Sequence, residues 1–257
     1  MFGAGTACLD LEAADEAAMD MAHIALLGEV YDNPHHHRRQ ACAVARMSPK
    51  ALVFEMLSPA QAERVLPENR GDAHELERAL EWNASGWPDF DLYHPIFVAA
   101  PEATVFGAAL PRSLARTAFE DGAAGVFAGD ATAFGLTTPL PADQQEARES
   151  LQFAAHCEAM PRDMMAGMVE AQRLKDAQIA RVALDALAQT GGPVAVILGN
   201  GHARSDWGVP WYLRQVAPEV ALFSLGQGED DGAPLGRFDH TILAPAPKRE
   251  DPCAAFQ

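Results

Sequence analysis

The sequence predicts an α/β fold, a mainly parallel β-sheet flanked by α-helices, with a smaller helical subdomain. Two observations carry that expectation. Short runs such as 24–28 (IALLG) and 194–199 (VAVILG) are apolar on successive residues rather than on alternate ones. Strands covered on both faces read that way. These runs alternate with longer amphipathic stretches, the order that builds parallel sheets through helical crossovers. A chain of 257 residues, 49% of them apolar, can bury one substantial core. It fits a single domain over 23–244 better than two independent ones. Residues 1–22 and the Pro- and charge-rich tail 245–257 are expected to be poorly ordered.

Residues 24–28 form the first expected strand, and Asn33-Pro34 breaks the chain after it. A helix is predicted over 36–47 and a second strand over 51–55 (ALVFE), ended near Ser58-Pro59. Helical patterns follow at 59–66 and 73–82, then an irregular stretch, 85–95, rich in Trp, Pro and Asp. A third strand, 104–110, leads to Pro111 and a helix over 112–120. Gly, Thr and Pro crowd 122–142, where no regular element is predicted. The stretch 146–167 is helical in pattern but interrupted at Met160-Pro161, since proline cannot continue the ladder without a kink. A helical insertion is therefore expected near 141–167. The clearest helix is 169–189, where Ile179, Val182, Ala183, Ala186 and Leu187 make one apolar stripe. Gly191-Gly192-Pro193 ends it before the strand 194–199. A short helix over 210–216 and strands over 220–225 and 241–243 complete the order.

The formal net charge is −17 and the isoelectric point is near 4.8. Such a chain lacks the Lys and Arg excess that nucleic acid or an anionic membrane would require. A small anionic ligand needs only a few local cations and stays open. Four cysteines occur with no paired spacing, so no zinc ribbon is expected and a disulfide framework is not expected either. No run of about 18 apolar residues would span a membrane. The start, MFGAGTACLDLEAADEA, has neither the basic segment nor the apolar stretch of an intact signal peptide.

Ligands of open parallel sheets collect outside the carboxyl ends of the strands. That rule selects four places. The first strand runs into Glu29, Tyr31, Asn33 and the triple His35-His36-His37. The second ends at Glu55, and the third at Leu110-Pro111-Arg112. The run 194–199 ends in Asn200-Gly201-His202-Ala203-Arg204-Ser205-Asp206. Glu29 and Glu55 read either as loop-holding carboxylates or as groups supporting a ligand or metal. His202, in a glycine turn, can ligate a metal or donate to an anion. Consecutive helical histidines point in different directions, so the triple reads as solvated or capping side chains. Tyr31 is the leading candidate, because phenolate is a good ligand of ferric iron and haem iron held by Tyr is known chemistry. Cationic groups nearby would lower its pKa. Met160, Met164, Met165 and Met168 read as core filling, or else as a polarisable wall beside a porphyrin.

The blocks LLGEVYDNPHHHRRQ, FEM, LPR, AQRLKDAQIA and GNGHARSDWGVPWYL, in this order, resemble the ChaN-like haem-binding lipoproteins of the Tiki superfamily. The likeness covers 23 to about 225. It implies a large parallel sheet, a smaller helical domain and a homodimer enclosing haem. It also implies a tyrosine from one subunit on iron, with basic or histidine side chains of the other holding the propionates. Tyr31 is the inferred ligand, while His202, Arg204, Lys175 and Arg112 are the candidates for the ligand's anionic groups. Glu29, Asn33, Glu55 and Asp206 form the expected polar support. The resemblance further implies iron acquisition on the periplasmic side of the outer membrane, with a haem receptor as partner and a lipid anchor as the membrane link.

Metal-dependent hydrolases of the superfamily, the erythromycin-esterase type among them, give the alternative. They use two Gly-x-x-His motifs. Here Gly199 to His202 keeps one, while Gly28 to Tyr31 places Tyr at the other histidine position. One imidazole fewer weakens a divalent-metal site. In that alternative Glu29, Glu55 and His202 would surround the metal.

Overall fold

The computed structural model describes Leu9, residues 11–251, Cys253 and Ala254. Six strands form one all-parallel sheet: β1 (Ile24–Glu29), β2 (Ala51–Phe54), β3 (Thr104–Gly107), β4 (Val194–Gly199), β5 (Leu222–Glu229) and β6 (His240–Ala244). Their spatial order is β3-β2-β4-β1-β5-β6. From β1 the chain builds outward to β2 and β3 on one side, and later to β5 and β6 on the other. β4 slots between β1 and β2. The strand order therefore reverses around β1 and β4, where a doubly wound sheet leaves a crevice.

The unbroken apolar runs are explained by two cores. Ala25, Leu27, Leu52, Phe54, Ala195 and Ile197 face one core, together with Trp82, Phe90, Tyr93 and Phe97. Ile24, Leu26, Val53, Val194, Val196 and Leu198 face the other, against Leu174, Ala177, Ala180 and Ala183. In β1, β2 and β4 every side chain is buried whichever way it points, so no polar alternation is possible. Burying one such Leu or Ile stabilises the fold by about 1.5–3 kcal/mol.

The helices are α1 (Ala13–Asp20), α2 (Pro34–Met47), α3 (Pro59–Ala62), α4 (Ala73–Leu80), α5 (Phe90–Ala99), α6 (Arg112–Asp121), α7 (Ala142–Ala155), α8 (Met165–Thr190), α9 (Asn200–Ala203) and α10 (Val209–Val216). Asn33 caps α2 by accepting from His35 N at 2.9 Å, and Pro34 opens the helix, where its missing N–H costs nothing. Ser58 and Gln61 cap α3 reciprocally. The helical insertion divides as Met160-Pro161 requires, into α7 and the 26-residue α8. No described helix is long and apolar enough to cross a membrane.

Four expectations are corrected. The stretch 85–95 holds most of α5, capped by Asp89 and tolerating Pro95 inside it. Its buried aromatic residues outweigh one lost hydrogen bond. Within 1–22, residues 1–8 and 10 lie outside the described ones, but α1 forms and buries Met19, and Asp20 pairs with Arg46 at 2.7 Å. The described part of the tail is tied down at Arg249, which pairs with Asp32 at 2.7 Å and with Glu229 at 2.6 Å. Finally, Cys157 and Cys253 form a disulfide across 96 residues of sequence, and Cys42 is also disulfide-bonded. Such long-range pairing leaves no spacing signature in the sequence.

Candidate functional site

Three neighbouring strand ends, those of β2, β4 and β1, converge on one cluster. Tyr31 lies two residues beyond β1, Glu55 directly follows β2, and Gly199 closes β4. The Tyr31 hydroxyl donates to Glu55, 3.2 Å from Oε1 and 3.3 Å from Oε2. To do so the phenol crosses the end of β4. A β-carbon on residue 199 would sit 2.6 Å from Tyr31 Cζ, so only glycine leaves room there.

Glu55 is also held by Gly199 N at 2.9 Å and by His202 Nε2 at 3.2 Å. The other imidazole nitrogen of His202 lies 2.6 Å from Asp176 Oδ1 on α8. Burial opposes a charge on the ring, but Glu55 and Asp176 outweigh it and hold the His202 pKa up to about 10. The ring is therefore an imidazolium donating from both nitrogens. Burial raises the Glu55 carboxyl while His202 lowers it, and the balance falls below the usual range. The Tyr31 phenol moves the other way. Burial, then the carboxylates of Glu55 and Glu29, hold it well above its ordinary value. The expected lowering by cations is corrected: the nearest charges are carboxylates.

A second layer shapes the turn that presents Tyr31. His36 Nδ1 accepts from Val30 N at 2.9 Å, and His37 Nε2 donates to Tyr31 O at 2.8 Å. Both rings are buried, which corrects the reading of the triple as solvated or capping. Burial pushes His37 down to about 4 and holds Glu29 well above the carboxylate range. Glu29 accepts from the Tyr93 hydroxyl at 2.9 Å, and its other oxygen lies 3.3 Å from His37 Nδ1.

Beside this cluster opens a cavity of about 500 Å³. Tyr31 and His202 lie on its wall, with Leu151, Ala155, Val169 and Leu235 as apolar surface. The four methionines do not line it, and Met165 belongs to the core. Arg204 lines the cavity, gripped by Asp206 at 2.6 and 2.7 Å and stacked 3.5 Å from the Trp207 ring centre. Thus Tyr31, Glu29, Glu55, His202, Arg204 and Asp206 are brought together. Asn33 instead caps α2 and donates to Glu229 at 2.8 Å. Arg112 is exposed at the start of α6, next to the edge strand β3, and does not line the cavity. Lys175 is exposed on α8 and acts on Glu55 only through its field.

Sequence reasoning missed Asp176, Arg148, Trp207 and Tyr93. Asp176 carried a signal: it lies three residues before Ile179, on the same apolar stripe of α8, where a carboxylate needs a partner. Arg148 carried none, sitting among the polar residues of α7. Among the described residues no three His, Cys, Asp or Glu side chains group to hold a metal ion. His202 has both nitrogens engaged, which leaves neither lone pair for ligation.

Comparisons with known proteins bear on the family and the fold. Residues 17–213 match the family described as haem-binding uptake, Tiki superfamily, ChaN. A solved structure of ChaN of Campylobacter jejuni, on cofacial haem binding, aligns with a TM-score of 0.67 at 18% identity, over 90% of this chain and 91% of that one. That likeness shows the fold. The type III effector HopBA1 aligns at a TM-score of 0.49 and 11% identity, over 90% of this chain and 91% of that one. An erythromycin esterase mutant in its open conformation aligns at 0.45 and 14%, over 83% and 71%. No curated protein matches the sequence.

Proposed function

The chain belongs to the haem-binding uptake family of the Tiki superfamily that includes ChaN, and on that premise we propose that it binds haem in the cavity beside Tyr31, with the phenolate oxygen as the iron ligand. One observation carries the reading: a phenol stands on the wall of a cavity of about 500 Å³ that combines apolar side chains with the buried cations Arg148, His202 and Arg204. Phenolate is an established axial ligand of ferric haem. A cavity of that volume suits a porphyrin-sized ligand. Leu151, Ala155 and Val169 offer it apolar surface, and Arg204 and His202 supply positive charge for its acidic groups. Glu55, which accepts the phenol's hydrogen bond, would be the first acceptor of that proton if the oxygen held iron.

The same reading extends to assembly and place. Leu235, 70% exposed at the cavity mouth, supports a homodimer in which a second copy covers that apolar surface. Cofacial haem binding, as in Campylobacter jejuni ChaN, fits two such mouths facing each other. The Cys157–Cys253 disulfide suits an oxidising compartment, in keeping with periplasmic iron acquisition and haem passed on from an outer-membrane receptor. Titrating purified protein with haemin and following visible absorption tests the proposal. A saturable ferric spectrum supports it; a linear rise equal to haemin in buffer contradicts it.

A further inference from the structure

We propose that Arg148 is a carboxylate-binding residue of the cavity, holding an acidic group of the bound ligand beside the Trp207 indole. The inference rests on the haem reading above, for which that group is a propionate.

Arg148 is the one buried residue of α7. A helix that turns its polar residues to solvent has placed an arginine, rather than a leucine, on its inner face. Only 7% of the side chain's surface remains exposed. One guanidinium nitrogen donates to Gln144 one turn earlier, at 3.0 Å. Its Nε is buried and has no hydrogen-bond partner. The nearby cations differ in this respect. Arg204 is neutralised by Asp206, and Arg173 by Glu170 at 2.7 Å. Among the described residues no carboxylate lies within ion-pair distance of Arg148. Burial pulls its pKa down, while the Tyr212 hydroxyl and the field of Asp176 oppose that. A buried cation is retained where a counter-ion arrives.

The cavity supplies the place for one. Arg148, Leu151, Gln152 and Ala155 all line it, the i, i+3, i+4, i+7 face of one helix. This face offers a cation followed by apolar surface, which matches an amphiphile with a carboxylate at one edge. The Trp207 ring lies 5.0 Å from the Arg148 guanidinium carbon and 3.5 Å from that of Arg204. The indole thus fixes two guanidinium groups beside each other while its own edge stays apolar. Arginine presents a planar fork that meets a carboxylate with two parallel hydrogen bonds.

The test compares haemin with haemin dimethyl ester, whose acid groups are capped, on wild type, Arg148→Met and Arg148→Lys. Wild type should prefer haemin by about tenfold or more, the scale of a charge-assisted pair. Arg148→Met should lose most of that preference, with the ferric spectrum of the wild-type complex kept. Arg148→Lys should retain part of the preference. Equal binding of the two forms by wild type, or an undiminished preference in Arg148→Met, overturns the proposal. If Arg148→Met does not fold, wild type and Arg148→Lys decide between these outcomes. A wild type that binds neither form removes the haem reading itself, and with it this one. That result differs from loss of discrimination with haem still bound.

Discussion

The Tyr31 phenol reaches Glu55 by crossing the end of an intervening strand. β4 lies between β2 and β1, and its last residue, Gly199, has no side chain to obstruct a hydrogen bond of 3.2 Å. Tyr31, Gly199 and Glu55 therefore form one geometric unit, in which each residue type follows from the other two.

Gly199→Ala should displace the phenol without unfolding the protein, because the backbone there adopts an ordinary extended conformation, with φ −65° and ψ 152°. Haemin affinity should fall by about tenfold or more, the loss of roughly one good interaction, while far-ultraviolet circular dichroism stays unchanged. Undiminished affinity in a folded variant would show that the phenol position does not matter for binding.

Glu55→Ala should be more costly to the fold. It leaves the buried His202 imidazolium with Asp176 alone and strips Gly199 N of its acceptor. Breaking a buried pair in this way costs about 3–5 kcal/mol, which denaturant unfolding would read directly. Glu55→Gln keeps an acceptor for Gly199 N and should cost less.

His202 sets a pH dependence. Its folded pKa is raised from 6.5 to about 10, so the folded state binds a proton that the unfolded chain releases. The stabilisation is complete below 6.5 and is lost as pH climbs from 6.5 to about 10. Unfolding free energies measured across that window should fall for wild type and change less for His202→Gln. Parallel curves would contradict the charged, doubly paired ring.

Removing the Cys157–Cys253 link should loosen the tail and the end of α7, which is part of the cavity wall. A Cys157→Ser, Cys253→Ser double variant frees a long closed loop, and such losses run at about 2–5 kcal/mol. Thermal unfolding checks this; an unchanged midpoint would mean that the link constrains nothing.

Much of the sheet was legible because burial on both faces left continuous apolar runs at Ile24, Leu26, Val194 and Val196. Boundaries were less so. β5 extends to Glu229 because Gly226, Gln227 and Gly228 pair with β6, although their composition reads as a turn. α5 was hidden by Pro95, whose conflict with a helix is local, whereas the aromatic packing that overrides it is tertiary. The disulfide and the ion pairs of Arg249 are equally non-local.

The strand-end rule found Tyr31, Glu55, His202 and Arg204 since topology alone places them at one edge. It also selected Arg112, which is at that edge but one strand too far, beyond β2. Lys175 and Asp176 are neighbours in sequence, yet the helical turn sends one to solvent and the other to His202. Arg148 could not be found from its spacing, because what marks it is the lack of a carboxylate partner among the described residues.

The most direct test of the account is the visible spectrum of the ferric haem complex of wild type beside Tyr31→Phe. Loss of one hydroxyl and its hydrogen bond costs only about 0.5–1.5 kcal/mol, so the variant should fold. The account predicts a tyrosinate charge-transfer band in wild type that is missing from Tyr31→Phe, with markedly weaker haemin binding. An unchanged band and affinity in the variant would contradict Tyr31 as the iron ligand.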